Sequence, residues 1–112
     1  MAEHVVEVTD ATFQSEVLDS ALPVMVDIWA PWCAPCRMVS PVLEELAAAN
    51  AGTLKIAKLN VDENQRVAGE LGITSIPTIL SYAGGKEQTD LRMIGVQPKA
   101  VFQRVVQTLL GR

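Results

Sequence analysis

Seven residues, Val24-Met25-Val26-Asp27-Ile28-Trp29-Ala30, form a nearly unbroken apolar run interrupted by one carboxylate. Such a run, with no polar alternation, is the pattern of a strand covered on both faces, in the middle of a sheet flanked by helices. The next segment fits that placement. Val39, Val42, Leu43 and Leu46 recur at helical spacing, continue through Ala47 to Ala49 and stop near Asn50-Ala51-Gly52. Between strand and helix, in Trp32-Cys33-Ala34-Pro35-Cys36-Arg37, stand the only two cysteines of the chain. Two thiols at this spacing can open and close one small ring in a two-electron exchange. The helix after them puts Cys33 at its N-terminus.

Length and composition bound the rest. A chain of 112 residues is expected to be one domain over 1–112, burying roughly 60 to 70% of its unfolded surface without a disulfide scaffold. It is 49% apolar and 20% charged, a globular composition. A formal net charge of −4 argues against nucleic acid as a partner. No apolar stretch reaches the roughly 18 to 20 residues of a membrane span, and Met1-Ala2-Glu3-His4 is not a charged lead into a signal peptide. The expectation is a cytoplasmic monomer whose partners are proteins, with residues 1–4 flexible.

The remaining pattern alternates strand and helix. Val5 to Val8 reads as a short strand, and Thr9 or Asp10 can cap a brief helix that turns Phe13, Val17 and Leu18 inward before Pro23. Leu54 to Val61 reads as a strand; Asn64 can cap a helix through Val67 to Leu71, stopped by Gly72. Thr78 to Tyr82 and Leu91 to Ile94 read as two strands joined across Gly84-Gly85, a turn signal for an antiparallel pair. Pro98 fits the first position of a last helix with a stripe of Val101, Phe102, Val105, Val106, Leu109 and Leu110. The sum is α/β: a mixed sheet with helices on both faces.

Asp27-Ile28-Trp29-Ala30-Pro31-Trp32-Cys33, Lys58-Leu59-Asn60-Val61-Asp62, Ile76-Pro77-Thr78 and Gly95 together resemble the thioredoxin family from about Val5 to the last helix. The resemblance implies the thioredoxin fold, a central mixed sheet of about five strands flanked by four helices, with Cys33 at the start of the second helix.

At that helix start the thiolate of Cys33 gains from unpaired backbone N–H groups and the positive dipole end, which makes Cys33 the nucleophile. Cys36, one turn further in, faces the core and resolves the mixed disulfide. The competing reading is half a zinc site, which lacks ligands beyond the distant His4. Asp27 lies in the apolar strand, where burial raises a carboxyl pKa. By resemblance it moves the proton of the second cysteine, with Lys58 close by; the alternative for both is a buried ion pair that only fixes strand register. A cis bond before proline occurs in only about 5% of cases, yet the resemblance implies one at Ile76-Pro77, with the proline against the disulfide and the Ile76 backbone free to pair with a substrate strand. Trp32, Gly95 and Val96 would complete an apolar rim, and Trp29 would be packing beneath the site. Pro41 falls inside the helix, removes one hydrogen bond and should bend the axis.

The chain departs from the family pattern at Ala34, where glycine is usual, at Arg37, where lysine is usual, at Ser81 within an apolar strand, and in a longer hairpin around Gly84-Gly85. Ala34 and Pro35 inside the ring tune the reduction potential, about 30 mV being worth 1.4 kcal/mol for a two-electron couple. The function implied is a protein-disulfide reductase and general electron donor using Cys33 and Cys36. It would be recharged by a thioredoxin reductase, an NADPH-linked flavoprotein, and would need no bound cofactor. A donor dedicated to one enzyme, or a redox-independent binding subunit, are the alternatives.

Overall fold

The computed structural model describes residues 4–112. Most of the segment expected to be flexible, residues 1–3, therefore lies outside the described residues. In chain order the elements are β1 (Val5–Val8), a π-helical turn (Gln14–Leu18), β2 (Val24–Trp29), α1 (Ala34–Ala49), β3 (Lys55–Asn60), α2 (Gln65–Glu70), β4 (Thr78–Ala83), β5 (Lys86–Glu87), a 3₁₀ turn (Thr89–Leu91), β6 (Met93–Ile94) and α3 (Lys99–Leu109). The apolar run at 24–29 becomes β2 because both its faces find cover. It pairs in parallel with β3 and antiparallel with β4, while β1 lies outside β3.

Alternation along the strands sends successive side chains to opposite layers. Met25, Ile56 and Ile79 pack beneath Val39, Leu43 and Leu46 of α1 and Phe102, Val105 and Val106 of α3. Val24, Val26, Ile28, Leu59 and Leu80 face the other way, against Phe13, Val17 and Val67. Asp27 is therefore on the layer of α1 and α3, in the alternation that includes Met25. Pro41 lies within α1, which runs unbroken from Ala34 to Ala49.

The structure corrects three local expectations. Gly84 and Gly85 do make a two-residue hairpin, both at positive φ (61° and 79°), the turn that matches the twist of its strands. Its second strand is Lys86–Glu87 and not Leu91–Ile94. After Glu87 the chain leaves the sheet through the 3₁₀ turn and returns as β6, paired with Thr78 and Ile79. The excursion is closed by Arg92, which donates to both Glu87 oxygens at 2.9 and 2.7 Å and to the Leu71 carbonyl. β5 and β6 together are thus one interrupted edge strand. Gly85 is required for a second reason, since a Cβ there would meet the Leu18 carbonyl oxygen at 2.8 Å.

The second correction concerns caps. Thr9 serves its own turn, its hydroxyl accepting the Thr12 N–H at 3.2 Å. Asp10 instead caps α2, taking the Arg66 and Val67 N–H groups at 3.1 and 3.0 Å. Asn64, expected to cap that helix with its side chain, turns away and accepts the Asp10 N–H at 2.9 Å. The third is small: Pro98 stands one residue before α3, as its cap, with extended backbone.

Candidate active site

β2 delivers the chain to a tight turn, where the Cys33 N–H donates to the Ala30 carbonyl at 3.1 Å. Cys33 then caps α1: its backbone is extended (φ −89°, ψ 105°) and its Sγ accepts the Cys36 N–H at 3.2 Å. That N–H is one of those at a helix start with no partner inside the helix. Pro35, which has no N–H to satisfy, occupies the turn at no cost. The donor and the dipole end both favour negative charge on this sulfur. Cys33 and Cys36 are joined as a disulfide, with Cα atoms 5.3 Å apart.

Access to the two sulfurs differs less than the sequence implied. Cys36 is 1% exposed and Cys33 only 4%, because Trp29, Ala30, Val61 and Ile76 pack around the pair. The Ile76-Pro77 bond is cis. The Pro77 carbonyl accepts the Gly95 N–H at 2.8 Å, tying Gly95 (φ 81°) to the same edge. Among the described residues, Ile76 makes no backbone hydrogen bond of its own, so its main chain is available to a docked strand.

Within β2, Asp27 is buried and its two carboxyl oxygens have no hydrogen-bond partner. Burial pushes this carboxyl up to about 7, against a smaller opposing pull from Lys58. Lys58 is the parallel register partner of Asp27 on β3, but its ammonium sits 4.2 Å from the centre of the Trp29 ring. No ion pair joins it to Asp27 among the described residues, so the pairing that sequence offered as an alternative is not what this geometry contains. Trp29 packs against the cysteines as expected, and also carries the Lys58 charge on its face.

The thioredoxin family model matches residues 4–108. The chain is 48% identical to "Thioredoxin 1" of Nostoc sp. over 101 residues, 90% of this chain and 92% of that protein. It is 46% identical to the thioredoxin of Synechocystis sp. over 104 residues, covering 93% and 95% of the two chains. To the chloroplastic M-type thioredoxin of Chlamydomonas reinhardtii it is 48% identical over 104 residues, 93% of this chain and 73% of the other. The chain belongs to the thioredoxin family. Its sheet of five strand positions with four helices, the π-helical turn counted and the 3₁₀ turn left aside, is the thioredoxin fold, and it is a thiol-disulfide oxidoreductase that works through its cysteine pair.

Of the residues expected to form the rim, Trp32 directly precedes Cys33, Ile76 packs against the pair, Gly95 is tied to Pro77 by its N–H, and Val96 is exposed. Trp32 is 68% exposed, and its indole N–H reaches both oxygens of Asp62 at 3.1 Å. Ala34 and Pro35 form the exposed first turn of α1. Arg37 donates to the Pro31 carbonyl at 3.0 Å, bracing the turn that holds Trp32. Sequence reasoning missed Asp62 and the exposed apolar side chains of Ile94 and Met38. Asp62 ends the Lys58-to-Asp62 motif, two residues past β3, and an acid at that spacing from a strand end was the available signal. Ile94 next to Gly95 could have been found as the outward member of a strand whose neighbour Met93 faces in. Among the described residues no group of three or more His, Cys, Asp or Glu side chains is arranged to hold a metal ion.

Proposed function

We propose that this thioredoxin is a general reductant of protein disulfides, a single-domain monomer of the cytoplasm. In our reading the Cys33 thiolate attacks an exposed disulfide of the substrate protein, forming a mixed disulfide and releasing the substrate's other sulfur as a thiolate. Asp27 takes the proton of the Cys36 thiol, and the Cys36 sulfur attacks Sγ of Cys33, expelling the second substrate sulfur. The ring closes as Cys33–Cys36, and two electrons have passed to the substrate. A thioredoxin reductase, the NADPH-linked flavoprotein of the family, returns them. Lys58 stands near Asp27 as a counter-charge, Ala34 and Pro35 set the potential, and the substrate lies across Trp32, Ile76, Pro77, Gly95 and Val96.

The observation that carries this reading is the cap. A sulfur that accepts a helix-start N–H at 3.2 Å is stabilised as a thiolate, which is the reactive form. The slightly greater exposure of Cys33, 4% against 1% for Cys36, supports Cys33 as the sulfur that a partner reaches first. A trapping experiment separates the roles. Cys36→Ser should accumulate a mixed disulfide with a substrate protein, whereas Cys33→Ser should trap none. Trapping by Cys33→Ser alone would reverse the assignment, and trapping by neither would remove the exchange mechanism.

A further inference from the structure

Two opposite charges paired in register on one sheet face are expected to meet. Asp27 and Lys58 are so paired, yet the Lys58 ammonium lies over Trp29 at 4.2 Å and the Asp27 oxygens are unpartnered. A buried carboxylate left bare beside an available cation would be costly, while a neutral carboxyl is much less so. The arrangement is therefore that of a protonated Asp27, with the cation resting on the next most negative surface within reach, the indole face.

The surroundings leave these two groups to each other. On that side of the sheet β4 contributes Ile79, α1 contributes Val39 and Leu43, and α3 contributes Phe102. None is charged, and among the described residues Lys58 is the one charge that acts on Asp27. The indole in question packs directly against Cys33 and Cys36.

We propose that Lys58 is a positioning residue with two seats, the face of Trp29 while Asp27 is neutral and the Asp27 carboxylate once the proton has left. This rests on the reading of Asp27 as acceptor of the Cys36 proton. In the dithiol with Asp27 ionised, Lys58 pairs with the carboxylate. When the proton passes from the Cys36 thiol to Asp27 and the ring closes, the carboxylate charge disappears and Lys58 returns to Trp29, as the disulfide form has it. The cation thus follows the proton, and Lys58 holds the Trp29 face only while Asp27 is protonated.

Ring current makes this visible. In proton NMR of the oxidised full chain well below the Asp27 titration, the Lys58 ε-methylene protons should lie upfield of those of the other three lysines. Raising the pH should bring them back toward the others with the same midpoint as the Asp27 side-chain carbon. Asp27→Asn should hold them upfield at every pH. Lys58→Met should move the Asp27 midpoint higher, and Lys58→Arg should restore it. Unshifted protons at low pH, or a displacement that titrates equally in Asp27→Asn, would overturn the proposal. Neither result touches trapping by Cys36→Ser, so the exchange mechanism stands or falls separately.

Discussion

The indole of Trp32 and the carboxylate of Asp62 hold each other across the mouth of the site, with the N–H shared between both oxygens at 3.1 Å. An exposed tryptophan would otherwise sample several rotamers, and a partner would have to immobilise it on docking. The pair fixes that ring in advance. Asp62→Ala should raise KM for a protein disulfide several-fold with a smaller change in kcat, and should leave the urea midpoint nearly unchanged because the bond is at the surface. Steady-state kinetics of disulfide reduction, run beside denaturation, checks both halves.

Asp27 should work against stability and for turnover. Its carboxyl is raised from 3.8 to about 7, chiefly by burial, so between those values the native state holds a proton that the unfolded chain has released. Stability is then full below about 4 and falls as pH rises to about 7, levelling off above. Asp27→Ala should abolish that slope, stabilise the fold at neutral pH and slow disulfide reduction. Urea denaturation across this pH range is the measurement, and a variant less stable than wild type at neutral pH would contradict it.

Ser81 is fully buried opposite Met25, with its hydroxyl unpartnered. Desolvating a hydroxyl without a hydrogen bond costs about 1 to 3 kcal/mol in proteins. Ser81→Ala should therefore raise stability by roughly 1 kcal/mol, seen as a higher urea midpoint at constant slope. A loss of stability would mean that the hydroxyl has a partner in solution.

Asp10 supplies both side-chain bonds at the start of α2. Asp10→Ala should cost about 1 to 2 kcal/mol and speed amide exchange at Arg66 and Val67 before other helices are affected. Asn64→Ala should weaken the same junction from the other side, because it removes the acceptor of the Asp10 N–H. Exchange measured by NMR distinguishes this local opening from general destabilisation.

The layered fold could be read from the chain because Val24 to Ala30, Val39 to Leu46 and Val101 to Leu110 each carry a period that only one kind of element satisfies. The caps could not. Asp10 and Asn64 are both good capping types, and the choice between them was made by a bond across 54 positions. The break before β6 was hidden in the same way: Leu91 to Ile94 looks like a strand until Arg92 is drawn to Glu87 and Leu71. At the site, Cys33 and Cys36 were recognisable by type and spacing and Asp27 as a lone carboxylate in an apolar run, whereas Pro77 was singled out only through the family resemblance. Where the Lys58 cation rests was not, since residue types fix which groups are adjacent and leave the rotamer to packing.

Cys33 closes the open end of α1, and in the proposed mechanism the same sulfur reacts with partners. Substituting serine or aspartate there, the usual way to strengthen a helix start, would remove the reaction, and any gain in how tightly that amide is held appears as a lower thiol pKa and a shifted potential. Conversely, changes far along α1 that loosen its first turn would make the thiol harder to ionise without touching the ring. Thermal hardening and redox tuning of this protein are therefore a single engineering variable at this end of the helix.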